Sequence, residues 1–206
     1  MKLAELEKSL NIIFPDGWHR IYDTGAMEWL ELSAEEFRAD RDKYLSDPHM
    51  FMNIECDCEP IFFDDIPYYI TELDEMLEWR KDDQGQKLSD KYRLIPFAHT
   101  AGGDIFCFAY SKDDPEPMVI MYIHDCYDNP ELWGKSFDEF MFAFMLASVS
   151  YWEQDITEDN WNAHLDFLSE EYRSQITDKT ISELDDMTHD YFHGCMDTDY
   201  LWEITE

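Results

Sequence analysis

The residues with the most obvious chemical potential lie near the end of the chain. His189-Asp190-Tyr191-Phe192-His193 sets two imidazoles at i and i+4, one face of a helix and the spacing with which zincins hold their metal. Cys195 follows shortly after. Such chemistry uses a glutamate directly after the first histidine as general base, and here that position holds Asp190, one methylene shorter. The pair also falls at an expected helix end, where an imidazole is favoured by the dipole of the peptide groups. No functional metal is therefore expected at His189 and His193, and no cofactor elsewhere.

Other constellations point the same way. Cys56-Asp57-Cys58 has one intervening residue, whereas a zinc knuckle needs two or more. His124-Asp125-Cys126 places a thiol near an imidazole just past a strand, and it is read as structural rather than nucleophilic. Neither a Gly-x-Ser-x-Gly elbow, a phosphate-binding loop nor a dinucleotide fingerprint occurs. Paired acids such as Asp64-Asp65, Asp82-Asp83 and Asp185-Asp186 recur too often for any one pair to be assigned acid–base work. A protein without catalysis is expected.

Charge is the dominant property. The chain of 206 residues carries 15 Lys and Arg against 48 Asp and Glu, a net charge of −33. Such a surface repels nucleic-acid backbones and anionic membranes, which basic side chains attract. Basic proteins remain as partners, because an acidic field accelerates their encounter. Solubility alone explains a modest excess of acid, but at −33 the self-repulsion opposes folding, and a partner-directed role is expected. Residues 151–206 concentrate the effect, with 16 acidic and 2 basic residues.

Seven tryptophans are many for this length, and Trp and Tyr are favoured interface anchors. Trp133, between Asn129-Pro130 and Ser136, is expected in a loop as an exposed anchor. Asp128 and Glu131 beside it, with Asp185 and Asp186 of the acidic end, complete the expected partner-facing set. Five cysteines form an odd set with no framework spacing, and Cys107 lies in an apolar run as a small buried side chain. With neither a signal-like apolar start nor a run of about 20 apolar residues, the expected setting is a reducing cytoplasm.

The positioning elements follow from periodicity. Leu3, Leu6 and Leu10 make a first helix, closed by Phe14-Pro15-Asp16-Gly17, with a short helix over Trp18–Tyr22. Ser33-Ala34-Glu35-Glu36 is a capping box opening a helix to about Leu45. Ile61-Phe62-Phe63 suits a short strand; Tyr69, Leu73, Met76 and Leu77 mark a helix to about Arg80; residues 81–90 read as a polar surface loop. Leu94–Ala98 is a strand whose Pro96 lacks a donor and so suits an edge or strand end. Residues 105–110 and 118–123 are apolar on both faces and, with a short link between them, must form a buried antiparallel hairpin. Ser136-Phe137-Asp138-Glu139 is a second capping box, followed by Phe137, Phe140, Met141, Phe144 and Met145 on one stripe expected to lie on the sheet. Thr157 caps a helix with Trp161, Leu165 and Leu168, and Thr177 or Asp178 starts another with Ile181, Leu184 and Met187, ending before Gly194.

In order and spacing, the leading helix closed by Phe14-Pro15, the run Ile95-Pro96-Phe97-Ala98, Gly102-Gly103-Asp104-Ile105-Phe106-Cys107-Phe108, Pro117-Met118-Val119-Ile120 and Ser136-Phe137-Asp138-Glu139-Phe140 resemble the SMI1/KNR4 (SUKH) superfamily. The resemblance covers about residues 1–150, most specifically 94–140. It implies an α+β fold, an antiparallel sheet with helices packed around it, as one domain over residues 1–152. Residues 153–206 would then be an acidic helical extension packed on or beside it. It also implies a non-catalytic role: bacterial members are linked mainly to immunity proteins that neutralise toxin domains, often nucleases, and fungal relatives to cell-wall regulation. The expected partner is thus a basic toxin domain, with a regulatory scaffold as the alternative. Within the signature, Gly102 and Gly103 are expected to allow a tight turn with positive φ, and Asp104 to bond the backbone amides of that turn.

Overall fold

The computed structural model describes residues 1–53, 57–124, 130–149, 157–193 and 198–204. Helices α1 (Leu3–Leu10), α2 (Asp16–Tyr22), α3 (Ala34–Ala39) and α4 (Arg41–Leu45) precede strand β1 (Glu59–Pro60) and helix α5 (Ile66–Gln84). Strands β2 (Gln86–Leu88), β3 (Tyr92–His99), β4 (Ile105–Ser111), β5 (Met118–Tyr122) and β6 (Glu131–Gly134) follow. Helices α6 (Phe137–Ser148), α7 (Glu158–Leu165), α8 (Glu170–Ile176) and α9 (Ile181–His193) and strand β7 (Trp202–Ile204) complete an α+β fold. The chain divides into a helical unit (residues 1–56, 62–64 and 137–194) and a sheet unit (57–61, 65–136 and 195–206).

In the sheet unit, the apolar runs pair as their patterns require. The order is β1-β3-β4-β5-β6, and every neighbour is antiparallel. Cys107 lies opposite Pro96 and Ile120, and Phe108 opposite Ile95 and Val119. One face gathers Leu94, Ile105, Cys107, Ala109, Ile120, Tyr122 and Leu132 against Leu73 of α5 and Leu201. The other carries Phe108, stacked 4.4 Å from Phe97, and Phe106, edge-on 5.1 Å from Trp133. The expected central hairpin is thus present, buried on both sides through residues 105–109. Pro96 sits where β3 slips register, between Pro96 and Ala98. Beyond that point β1 reaches only Ala98 and His99, with Ile61 N–H donating to Phe97 O, so the proline occupies a stretch that needs no second donor.

The helical unit is organised by α6. Trp18 of α2 lies 5.4 Å from Phe14, 5.5 Å from Phe51 and 5.4 Å from Phe137. The stripe is buried, but α6 belongs to the helical unit, where α2, α8 and α9 pack on it, whereas the sequence places it on the sheet. Phe142 and Leu146 are buried as well, so α6 is enclosed on nearly every side. Phe142 stacks on Tyr172 of α8 at 5.0 Å and meets Tyr191 of α9 at 6.0 Å, while Thr188 Oγ1 donates to Leu146 O. Close approach of α2 to α6 depends on Gly17: a Cβ there would stand 2.6 Å from Asp138 Oδ1 and 3.0 Å from Phe137 Cδ1. Arg20 Nη2 donates to that same Asp138 Oδ1 and to Phe167 O.

Several boundaries differ from expectation. The Ser33 capping box forms, but the helix it opens breaks at Asp40, with φ −123 and ψ 26, into α3 and α4. The strand sought at residues 61–63 is Glu59–Pro60. Residues 86–88, read as loop, form β2 by pairing with residues 202–204. Trp133, read as a loop residue, lies in β6. Thr157 caps α7 as expected, accepting from Asn160 N–H. Helix α8 was not foreseen, and α9 begins after Thr180, which exchanges hydrogen bonds with Glu183 in a capping box.

Candidate partner-binding face

The Gly-Asp signature builds a latch in the sheet unit. Thr100 N–H donates to Asp104 O, Gly103 N–H to Thr100 O, and Asp104 N–H to Thr100 Oγ1. Gly103 has φ +99, and a Cβ there would also meet the His124 ring at 3.4 Å, so two constraints converge on glycine. Gly102 is not among the positive-φ residues. Asp104 does not bond its own turn's amides with its carboxylate. Oδ1 instead accepts from His124 N–H at 3.1 Å and His124 Nδ1–H at 3.0 Å, joining the start of β4 to the end of β5. Ala101 N–H adds a bond to Asp57 Oδ1 at 2.7 Å.

A carboxylate orienting an imidazole is one component of acid–base machinery. Here the same oxygen also accepts from the His124 backbone N–H, so the pair ties the start of β4 to the end of β5. The partner of Asp104 lies 20 residues away in sequence, and no local spacing marked it. Asp125, Cys126 and Asp128 lie outside the described residues. Among those described, no group of three His, Cys, Asp or Glu side chains is arranged to hold a metal. His189 is exposed on α9, while the His193 side chain and Cys195 lie outside the described residues.

Of the expected anchors, Trp133 is half-buried against Phe106, and its Nε1–H points to Glu131 Oε2 at 3.4 Å. Glu131 is exposed on the same strand. Asp185 and Asp186 are exposed on α9 in the helical unit, so the expected set is split between units. Phe97, Phe106, Phe108, Phe137 and Phe140 are all buried core.

The sheet unit presents a second surface, on helix α5, outside the expected set. Helix α5 buries only Ile66, Leu73 and Arg80, a single line seven residues apart. Its far side exposes Tyr68 at 60% and Trp79 at 50%. Six carboxylates (Glu72, Asp74, Glu75, Glu78, Asp82 and Asp83) share the helix with two basic residues. One of these, Arg80, points inward, its Nε and Nη2 donating to Gln86 Oε1 and its guanidinium 4.2 Å from the Trp202 ring. The other, Lys81, pairs with Glu78. Tyr68 donates to the Glu72 carboxylate, which holds the phenol above its usual pKa. The helical signal was available at positions 68, 72, 75 and 79, which fall on one stripe about 60° wide at 100° per residue.

No helix among the described residues is long and apolar enough to cross a membrane. The model of the SMI1 / KNR4 family (SUKH-1) matches residues 2–143. No curated protein and no solved structure matches the chain.

Proposed function

The chain belongs to the SMI1/KNR4 family (SUKH-1), and from that premise we propose that it is a non-catalytic immunity-type protein. Its partner is a basic toxin domain, such as a nuclease, whose substrate-binding face it occupies. The family is known for immunity proteins, which supports the class. One observation carries the choice of partner: a net charge of −33 on a chain with a large aromatic interior. A nuclease must attract phosphates with basic side chains, and an acidic surface competes for those side chains by the same attraction. A cytoplasmic setting agrees with the buried free thiol of Cys107, whose pKa burial pushes up.

The test is isolation of the tagged chain with its partner, followed by mass spectrometry. The expected result is one dominant protein of high isoelectric point that arrests growth when expressed separately and is relieved by co-expression of this chain. Recovery of several near-neutral proteins, with no toxicity to relieve, would favour a regulatory scaffold and end the immunity reading.

A further inference from the structure

We propose that the outward stripe of α5 is the docking ridge, and that its occupant is a groove on a basic protein with an apolar pocket near each end. This rests on the acidic-partner reading above and assigns it a place. Tyr68 and Trp79 are the two large aromatics that α5 leaves exposed, at 60% and 50%. Exposed Trp and Tyr of this kind are the usual anchors of interfaces. They stand eleven residues apart, about 16 Å along the helix at 1.5 Å per residue. Glu72 and Glu75 lie between them on the same stripe, with Glu78 and Asp82 on its flank.

Charge selects the occupant. A second copy of this chain carries −33 and is repelled, as are nucleic acid and anionic lipid. A cation-lined groove is attracted along the whole stripe, and the two rings then enter pockets that exclude water around the ion pairs. That is helix-in-groove recognition with this chain supplying the helix. The aromatics give specificity, since carboxylates alone attract any polycation.

The probe is a pair of capped hexapeptides. One has leucine at both ends and four arginines between, which in extended form separates the leucines by about 16 Å; the other has serine at both ends. Binding to the full chain is read at low ionic strength by calorimetry and by amide NMR shifts. The leucine-ended peptide is expected to bind about tenfold tighter than the serine-ended one, a typical effect of filling an aromatic anchor site. Its shifts should centre on α5. In the double variant Tyr68→Ala/Trp79→Ala the preference should vanish, while both peptides still bind through charge; Asp185→Asn/Asp186→Asn should retain it. An undiminished preference in the Tyr68/Trp79 variant, or shifts centred on α9, would overturn this assignment and leave the acidic-partner reading standing. Failure of both peptides to bind wild type would sink that reading, and this one with it.

Discussion

Helices α5 and α6 make opposite uses of aromatic residues. In α6, Phe137, Phe140, Phe142 and Phe144 are all buried, and the helix is enclosed on nearly every side. In α5, one line of Ile66, Leu73 and Arg80 is buried, while Tyr68 and Trp79 remain in solvent among carboxylates. Similar ring area is buried in one helix and half or more exposed in the other. The contrast teaches that aromatic content alone does not mark an interface; the arc of the helix on which the ring falls does.

Breaking α6 should have the largest effect. Phe140 is fully buried, with Phe137 and Phe144 stacked on it at 5.8 and 6.0 Å. Phe140→Ala is expected to cost about 3–5 kcal/mol in urea denaturation, from lost burial and the cavity left behind.

Acid comes next, acting on the helical unit through His164. Burial lowers its pKa to about 4; Nδ1–H donates to Asn160 O, and Nε2 is buried with no hydrogen-bond partner among the described residues. The folded state therefore binds fewer protons than the unfolded state, and stability rises with pH across that window. The contribution is complete above about pH 6.5 and is lost as pH falls towards 4, amounting to about 2–3 kcal/mol by pH 4.5. His164→Gln should lose that increment, seen as a smaller difference in unfolding free energy between pH 7 and pH 4.5 than in wild type.

Two glycines then compare the units directly. Gly17→Ala should cost about 1–3 kcal/mol, because Phe137 cannot withdraw and Asp138 is held by Arg20. Gly103→Ala should cost about 1–2 kcal/mol, from a positive φ tightened against His124. Thermal unfolding of each variant provides the check. The smallest effect belongs to α5: Tyr68→Ala/Trp79→Ala should change stability by no more than about 0.5 kcal/mol. A loss comparable to that of Phe140→Ala would mean that the two helices do the same job.

How much was legible in the sequence tracks the distance over which its cause acts. The β4–β5 hairpin, the capping box at Ser33 and the buried stripe of α6 arise from patterns a few residues long, and those local features stand where the patterns place them. Strand β2 was missed because its three residues become a strand only by pairing with residues 202–204, more than a hundred positions away. The tie from Asp104 to His124 was missed for a similar reason, since the fold brings the end of β5 to the Gly-Asp turn. Trp133 was misplaced because Pro130 and Ser136 are turn residues that here flank a four-residue strand. The ring pair on α5 was legible in the spacing, since Tyr68 and Trp79 fall on the arc of the helix opposite Leu73.

Arg80 has a final consequence. By turning inward to Gln86 and Trp202, it withdraws a positive charge from the most acidic side of its helix, so the exterior is more anionic than composition suggests. Small cations from the medium must gather along that side. A protein that displaces them sets them free, and the entropy of their dispersal adds to the association in the way it does for polyelectrolytes.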